Sequence, residues 1–352
     1  MNDEYFLMPS DIRIVKESNM DTGSVKLSKD LEFRYLNILT KNKEEKLEVF
    51  SNIDLKNLEK IKNKLSQFTN LKERIVNIYS QPYFSKRLPK KSPLIMGVVN
   101  LTKDSFYDGG KYYDEDKAVA QAYKLLEEGA HILDLGAEST RPGAHEIAAD
   151  IEISKIVPLA KKLSKENILL SCDTRNSSTM KAVLDAGVKI INDVSGLSHD
   201  KNSINILKQY NCLYVLTHSR GTPKNMQDNP YYNNAICDIY KFFKDKLNYF
   251  ENQNFPCSNI ILDPGIGFGK NDVHNFNILK YLGFFLDLGL PILIGLSRKS
   301  LIGRFINDTP ENSLSCSIVL AIDAYMKGAN IIRVHDVKET LDAINILKHT
   351  NF

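Results

Sequence analysis

Eight short apolar runs, nearly every one ending in a polar residue, constrain this chain more than any other feature. They are Leu94–Val99, His131–Leu135, Ile168–Cys172, Lys189–Ile191, Cys212–Thr217, Asn259–Leu262, Pro291–Leu296 and Asn330–Val334. Amphipathic stretches lie between them: Asp116–Glu128, Ile151–Leu163, Ser177–Asp185, Cys237–Tyr249 and Val273–Leu286. Strand and helix alternating at this spacing predict parallel strands with helices outside. An open doubly wound sheet fits the alternation too, but it gathers its ligand groups at one switch point. Here nearly every run ends in a polar residue: Asn100, Asp134, Asp173, Asn192, His218, Asp263, Ser297 and Arg333. Polar groups at the carboxyl ends of nearly all strands ring a single mouth, as a closed (β/α)8 barrel requires.

Composition divides the chain near residue 90. Residues 1–90 hold a single glycine, Gly23, and are rich in Lys, Glu, Asn and Leu. Leu47, Phe50, Leu55, Leu58, Ile61, Leu65 and Phe68 recur every three to five residues, which predicts one or two amphipathic helices. Phe33–Leu39 reads as a strand. The expectation is therefore a mainly helical accessory region over 1–90, a basic, proline-bearing linker at 80–93, and the barrel domain over 91–352. Across all 352 residues the net charge is only +3, which offers no general attraction to nucleic acid or membranes. No apolar run reaches the roughly 18 residues of a membrane span. The opening MNDEYFLMPSDIR lacks a secretory apolar core. The five cysteines are scattered, with no CxxC pair, and read as reduced thiols. A cytoplasmic enzyme is expected.

The chemistry lies in the loops after the runs. Asn100 begins a stretch ending Asp108-Gly-Gly110, an acid followed by two glycines. Asp134–Gly143 concentrates acids, hydroxyls and Arg141, whose forked guanidinium suits phosphate or carboxylate. Asp173, Asn192 and Asp263 each close an apolar run. Carboxylates at a buried mouth are costly unless they meet donors, so the three together suit a ligand edge bearing N–H groups. Asp263–Lys270 is rich in glycine but has neither the dinucleotide nor the Walker spacing, so it suits close backbone approach to a flat ligand. Ser297-Arg-Lys299-Ser300 and Arg333-Val-His335 supply cations and donors where barrels often bind phosphate. Residue types alone thus point to an enzyme that holds a flat nitrogen heterocycle beside a phosphate group.

These motifs resemble the dihydropteroate synthase family. The likeness runs over about residues 93–350, in order: Met96-Gly-Val-Val-Asn-Leu-Thr-Lys-Asp-Ser-Phe, Glu138-Ser-Thr-Arg-Pro-Gly-Ala, Ser171-Cys-Asp-Thr, Ile191-Asn-Asp, Arg220-Gly-Thr-Pro-Lys-Asn-Met-Gln, Asp263-Pro-Gly-Ile-Gly-Phe-Gly-Lys, Ser297-Arg-Lys-Ser and Arg333-Val-His-Asp-Val. The resemblance implies condensation of a pterin diphosphate with 4-aminobenzoate. Asp173, Asn192, Asp263 and Lys299 would hold the pterin. Asn100 would bind Mg²⁺ together with the diphosphate, and Arg333 and His335 would bind its phosphates. Phe106, Thr140, Arg141, Pro142, Lys299 and Ser300 would form the aminobenzoate site. Asp108, Thr140, Arg141 and Lys299 would serve catalysis, Asp108 by favouring a cationic methylene. The resemblance also implies a homodimer and a sulfonamide target.

Three positions depart from the family pattern: Lys103 for a usual proline, Tyr107 for a small serine, and Ser219 for a methionine. None removes a charge or a metal ligand. Two other readings stand beside this one. A methyltetrahydrofolate-dependent methyltransferase shares such a barrel but needs neither Thr140-Arg141-Pro142 nor Ser297–Ser300. A non-catalytic folate-binding protein would be free to lose Asp104, Phe106, Asp108 and Arg141, yet all four are present.

Overall fold

A computed structural model describes residues 5–15, 24–28, 30–42, 44, 46–57, 70–80, 87–101, 115–138, 146–222, 225–309 and 312–350. Its N-terminal region corrects the expectation of a mainly helical extension. Strands β1 (Tyr5–Ile14), β2 (Val25–Lys26), β3 (Leu31–Lys41) and β4 (Leu47–Asp54) form an antiparallel sheet, and the helix Leu71–Ser80 follows; Leu58, Ile61, Leu65 and Phe68 of the expected helical pattern lie outside the described residues. β3 is central, with β1 on one side and β2 and β4 sharing the other. Leu31, Phe33, Leu36, Ile38 and Leu39 of β3 are buried, and its aromatic and branched side chains suit a pleated surface. The apolar spacing around Leu47 mimics a helix because β4 takes no strict alternation: Val49 and Phe50 are both exposed.

The sheet docks where the barrel strands begin. Phe6 stacks 4.6 Å from Phe284 and 5.2 Å from Tyr240. Asp287 is buried between the two parts, accepting from Leu7 N at 3.3 Å and from both Nε and Nη2 of Arg74. Arg74 also donates to the Tyr5 carbonyl at 3.1 Å. Farther round, Ser92 donates to Ser28 at 2.9 Å and Lys348 pairs with Asp30 at 2.5 Å. One continuous apolar core therefore spans sheet and barrel.

The eight runs form parallel strands β5 (Leu94–Asn100), β6 (Ile132–Gly136), β7 (Leu170–Asp173), β8 (Ile190–Asp193), β9 (Leu213–Thr217), β10 (Ile260–Asp263), β11 (Leu293–Gly295) and β12 (Ile331–Val334). Every end lies within two residues of the sequence expectation. The hydrogen-bonded order is β10-β9-β8-β7-β6-β5-β12-β11. β10 and β11 close the circle through Leu262 N to Pro291 O at 2.8 Å and a bridge from Leu262 to Ile292.

Alternation along each strand sorts the side chains. Ile95, Val99, Leu133, Cys172, Ile191, Tyr214, Leu262, Ile294 and Ile332 face the helices and join the outer core. Met96, Ile132, Ile190, Leu213, Val215, Ile261, Leu293 and Ile331 face inward and form a separate cluster, covered by Leu88. Both faces being buried explains why the strands read as unbroken apolar runs. Two residues further along, the same inward rows turn polar, and those positions build the site.

Candidate active site

Asp134, Asp173, Asn192, Asp263 and Arg333 all come from strand ends and converge, although up to 199 residues separate them along the chain. Asp173, Asn192, Asp263, Lys299 and Arg333 line one cavity together with Val194, Ile266, Phe268 and Gly295. It encloses about 320 Å³ of empty space, part of it open to solvent.

Arg333 organises the charges. Its Nε donates to Asp134 Oδ2 at 2.7 Å and its Nη2 to Asp173 Oδ2 at 3.0 Å. Asn192 Nδ2 donates to the same Asp134 oxygen at 3.0 Å, which turns the amide carbonyl away from that pair. Asn192 Oδ1 is buried and has no partner among the described residues. Asp263 Oδ1 accepts from Gly265 N at 2.7 Å. The second oxygens of Asp263 and Asp173 accept nothing from the described residues. Three acceptor oxygens are thus left for a ligand that carries N–H donors.

Burial sets the protonation of these groups. It lifts the Asp173 carboxyl to about 7, against the pull of Arg333 and with the push of Asp134. Burial also raises Asp263, opposed by the Gly265 N–H and by Lys299. Lys299 falls to about 8, chiefly through burial and then through repulsion from Arg333. Its Nζ sits 4.6 Å from the Phe268 ring centroid and makes no hydrogen bond to a described residue.

The sequence places two cations after β11, and the structure separates their tasks. Arg298 Nε and Nη2 grip Asp336 at 3.2 and 2.5 Å, tying the loop after β11 to the loop after β12. Lys299 turns inward. Ser297 Oγ accepts from His335 N at 3.2 Å and lies 3.2 Å from His335 Nδ1. His335 stands beside the cavity rather than in its lining, and burial with Arg333 and Arg298 lowers it to about 4, so it is neutral at pH 7. Asn100 is half-buried at the end of β5 and also outside the lining; Ser300 is exposed on the first turn of the helix Ser300–Ile306. Phe106, Asp108, Thr140, Arg141 and Pro142 lie outside the described residues, as do Lys103 and Tyr107. Ser219 is half-buried beyond the lining.

Two contributors carry no clear signal in the sequence. Asp134 is visible there only as another run-ending acid, and its pairing with Arg333 has no local mark. Lys270, at the end of the glycine motif, is 1% exposed and donates to the carbonyls of His218, Gly265 and Phe268 at 3.0, 2.9 and 3.0 Å. It fixes the Asp263–Lys270 loop against the loop after β9. Gly265 has φ +70°, and a Cβ there would overlap the His218 carbonyl. Close backbone approach, expected toward a ligand, is realised between two loops.

Comparison with known proteins follows the same outline. A family model described as pterin binding enzyme matches residues 96–335. The dihydropteroate synthase of Escherichia coli K12 is 37% identical over 259 residues, covering 73% of this chain and 92% of that protein. Among solved structures, the Yersinia pestis dihydropteroate synthase with a sulfonamide drug complex has a TM-score of 0.70 at 38% identity, covering 74% of this chain and 94% of that one. The Xanthomonas albilineans dihydropteroate synthase with 4-aminobenzoic acid has a TM-score of 0.69 at 34% identity, covering 74% and 93%. The matches span most of this chain and nearly all of each relative, and they take in the strands that carry the cavity, so the chain belongs to the dihydropteroate synthase family, transferases of folate biosynthesis.

Proposed function

We propose that this chain condenses 6-hydroxymethyl-7,8-dihydropterin diphosphate with 4-aminobenzoate, giving 7,8-dihydropteroate and pyrophosphate. The observation that carries this reading is the cavity in which Asp173, Asn192 and Asp263 present unused acceptor oxygens beside Lys299. A pterin edge offers an amino group and ring N–H groups to such acceptors, and its carbonyl and ring nitrogens to the Lys299 ammonium. Ile266 and Phe268 would give its faces apolar cover.

In this reading Arg333, in the cavity wall, and neutral His335, beside it, receive the diphosphate. Donors already in place as negative charge builds on the leaving group stabilise the transition state more than water does. The aminobenzoate nitrogen attacks the methylene, the C–O bond to diphosphate breaks, and the arylamine proton is released. No covalent enzyme intermediate is needed. Asp108, Thr140, Arg141 and Pro142, with Phe106 and Ser300, take the second-substrate and catalytic roles that the resemblance implies.

Mg²⁺ belongs to the same proposal. Among the described residues no group of three or more His, Cys, Asp or Glu is placed to hold a metal. Asn100 contributes one neutral oxygen near the mouth. That donor set suits an ion arriving with its phosphates, since Mg²⁺ keeps waters and takes few protein ligands. When bound, it would neutralise charge on the departing diphosphate.

A homodimer through the outer helices is supported by an exposed apolar patch. Phe276 and Phe305 pair at 5.5 Å while 36% and 74% exposed, and Val273, one turn before Phe276 on the same helix, is exposed as well. Phe305→Glu should then give monomers in sedimentation. No helix among the described residues is long and apolar enough to cross a membrane, and five cysteines without a disulfide support a reducing cytoplasm.

The test is direct. Mixing the two substrates with Mg²⁺ should release pyrophosphate and form dihydropteroate, and sulfonamides, as in the Yersinia complex, should compete with 4-aminobenzoate. Pyrophosphate without the amine adduct would instead indicate a hydrolase.

A further inference from the structure

Two of the side chains that line the cavity, Asn192 and Arg333, are held from behind by one that does not, Asp134. Asp134 is fully buried in the second half of β6. A single oxygen, Oδ2, takes both contacts: Arg333 Nε at 2.7 Å and Asn192 Nδ2 at 3.0 Å. Arg333 comes from β12 and Asn192 from β8, each two strands away from β6 in the ring. One carboxylate therefore ties three strands together across the barrel.

Each contact decides something about the cavity. An amide has a donor end and an acceptor end, and a free Asn can present either one. A carboxylate accepts only, so Asp134 takes the Nδ2 end of Asn192. The Oδ1 end, buried and without a partner among the described residues, is what remains for a ligand. Arg333 is gripped at two nitrogens, Nε by Asp134 and Nη2 by Asp173 at 3.0 Å. A planar guanidinium pinned at Nε cannot swing round to cover both oxygens of Asp173 in a fork. Without Asp134, the amide is free to turn its NH2 inward and the guanidinium is free to close over Asp173. Either change removes an acceptor that a donor-bearing ligand needs.

We propose that Asp134 is a positioning residue for the pterin, committing Asn192 to its carbonyl end and keeping Arg333 from closing over Asp173, while touching neither substrate. This rests on the reaction proposed above and names the residue that sets the acceptor side of its pterin pocket.

Calorimetry of pterin diphosphate binding to the full chain provides the test, and it needs no turnover. Asp134→Leu, similar in size but without an acceptor, should weaken binding about tenfold or more. In an Asn192→Ala background the same substitution should cost only about threefold, because the amide it orients is gone. Asp134→Asn keeps an acceptor oxygen for both donors and should recover most of the binding lost in Asp134→Leu. Its missing charge is read in the pH dependence. Burial lifts the Asp173 carboxyl to about 7; Arg333 opposes this, Asp134 adds to it, and Glu152 and Glu138 add further, with Lys299 the other nearby cation. Removing the Asp134 charge should therefore keep Asp173 ionised further into acid, and the acid limb of pterin affinity should move to lower pH.

Equal losses from Asp134→Leu with and without Asn192 would overturn the proposal, as would a loss in Asp134→Asn as large as that in Asp134→Leu. If Asp134→Leu does not fold, an acid limb that stays in place in Asp134→Asn overturns it alone. A wild-type chain that binds the pterin diphosphate but makes no dihydropteroate would overturn the reaction and leave the role of Asp134 standing.

Discussion

Where the barrel strands begin, the inward side chains are Met96, Ile132, Ile190, Leu213, Ile261, Leu293 and Ile331, with Leu88 laid across them and the antiparallel sheet docked alongside. Where the strands finish, the inward side chains are Asp134, Ser171, Asp173, Asn192, Thr217, Asp263 and Arg333. Asp134 Oδ1, Ser171 Oγ, Asn192 Oδ1 and Thr217 Oγ1 are all buried there without a partner among the described residues. Each such atom costs on the order of 1–3 kcal/mol. A chain that leaves nothing unsatisfied among the inward residues of one end and several atoms unsatisfied at the other is not optimising the empty protein. The finishing end is arranged for something that arrives. Damage at the two ends should therefore register in different measurements.

The largest effect is expected at the beginning end. Asp287→Ala leaves the half-buried Arg74 without its buried carboxylate partner and should cost roughly 3–5 kcal/mol in urea unfolding. Pterin affinity of the folded fraction should be unchanged; a comparable fall in affinity would break the division between the ends. Next comes Asp263→Asn. The new amide oxygen can still accept from Gly265, but an N–H now faces the ligand, so pterin binding should weaken by about 2–4 kcal/mol. Unfolding stability should hold or rise, because burial already disfavours the Asp263 carboxylate. Loss of stability without loss of affinity would remove Asp263 from the site.

A smaller effect comes from pH. Asp173 takes up a proton below about 7 and ceases to be a full acceptor, and Lys299 loses one above about 8. The kcat/KM for pterin diphosphate should peak between these values and fall about tenfold per unit on either side. Asp173→Asn should abolish the acid limb, and an acid limb that survives would assign it elsewhere. In the empty protein the sign is opposite on the acid side. The folded state holds a proton on Asp173 that the unfolded chain has lost, so this group's contribution to stability grows as pH falls from about 7 toward the usual carboxyl range. The smallest effect is Thr217→Val, which trades an unpartnered buried hydroxyl for a methyl and should add about 1 kcal/mol to the empty protein. A loss of similar size in thermal melting would mean that a water partners the hydroxyl.

The sequence is most readable where structure repeats a simple rule. Each barrel strand is buried on both faces and has a polar residue within two positions of its end, so all eight stand out. The first sheet follows no such rule. β1 carries Pro9 and an Asp11 at φ 54°, and β4 exposes Val49 and Phe50, so neither resembles a strand. The site residues that end strands are legible because a carboxylate after an apolar run is expensive. Asp134 as the partner of Arg333 is not, since nothing local announces a contact 199 residues away.

The wedge between Gly265 and the His218 carbonyl has a consequence for how this protein can change. No side chain of any size fits at 265, so mutation cannot reshape the pocket from that point. Variation in the cavity wall falls instead to neighbours such as Phe268, which lines it, while the loop contact beneath stays as it is.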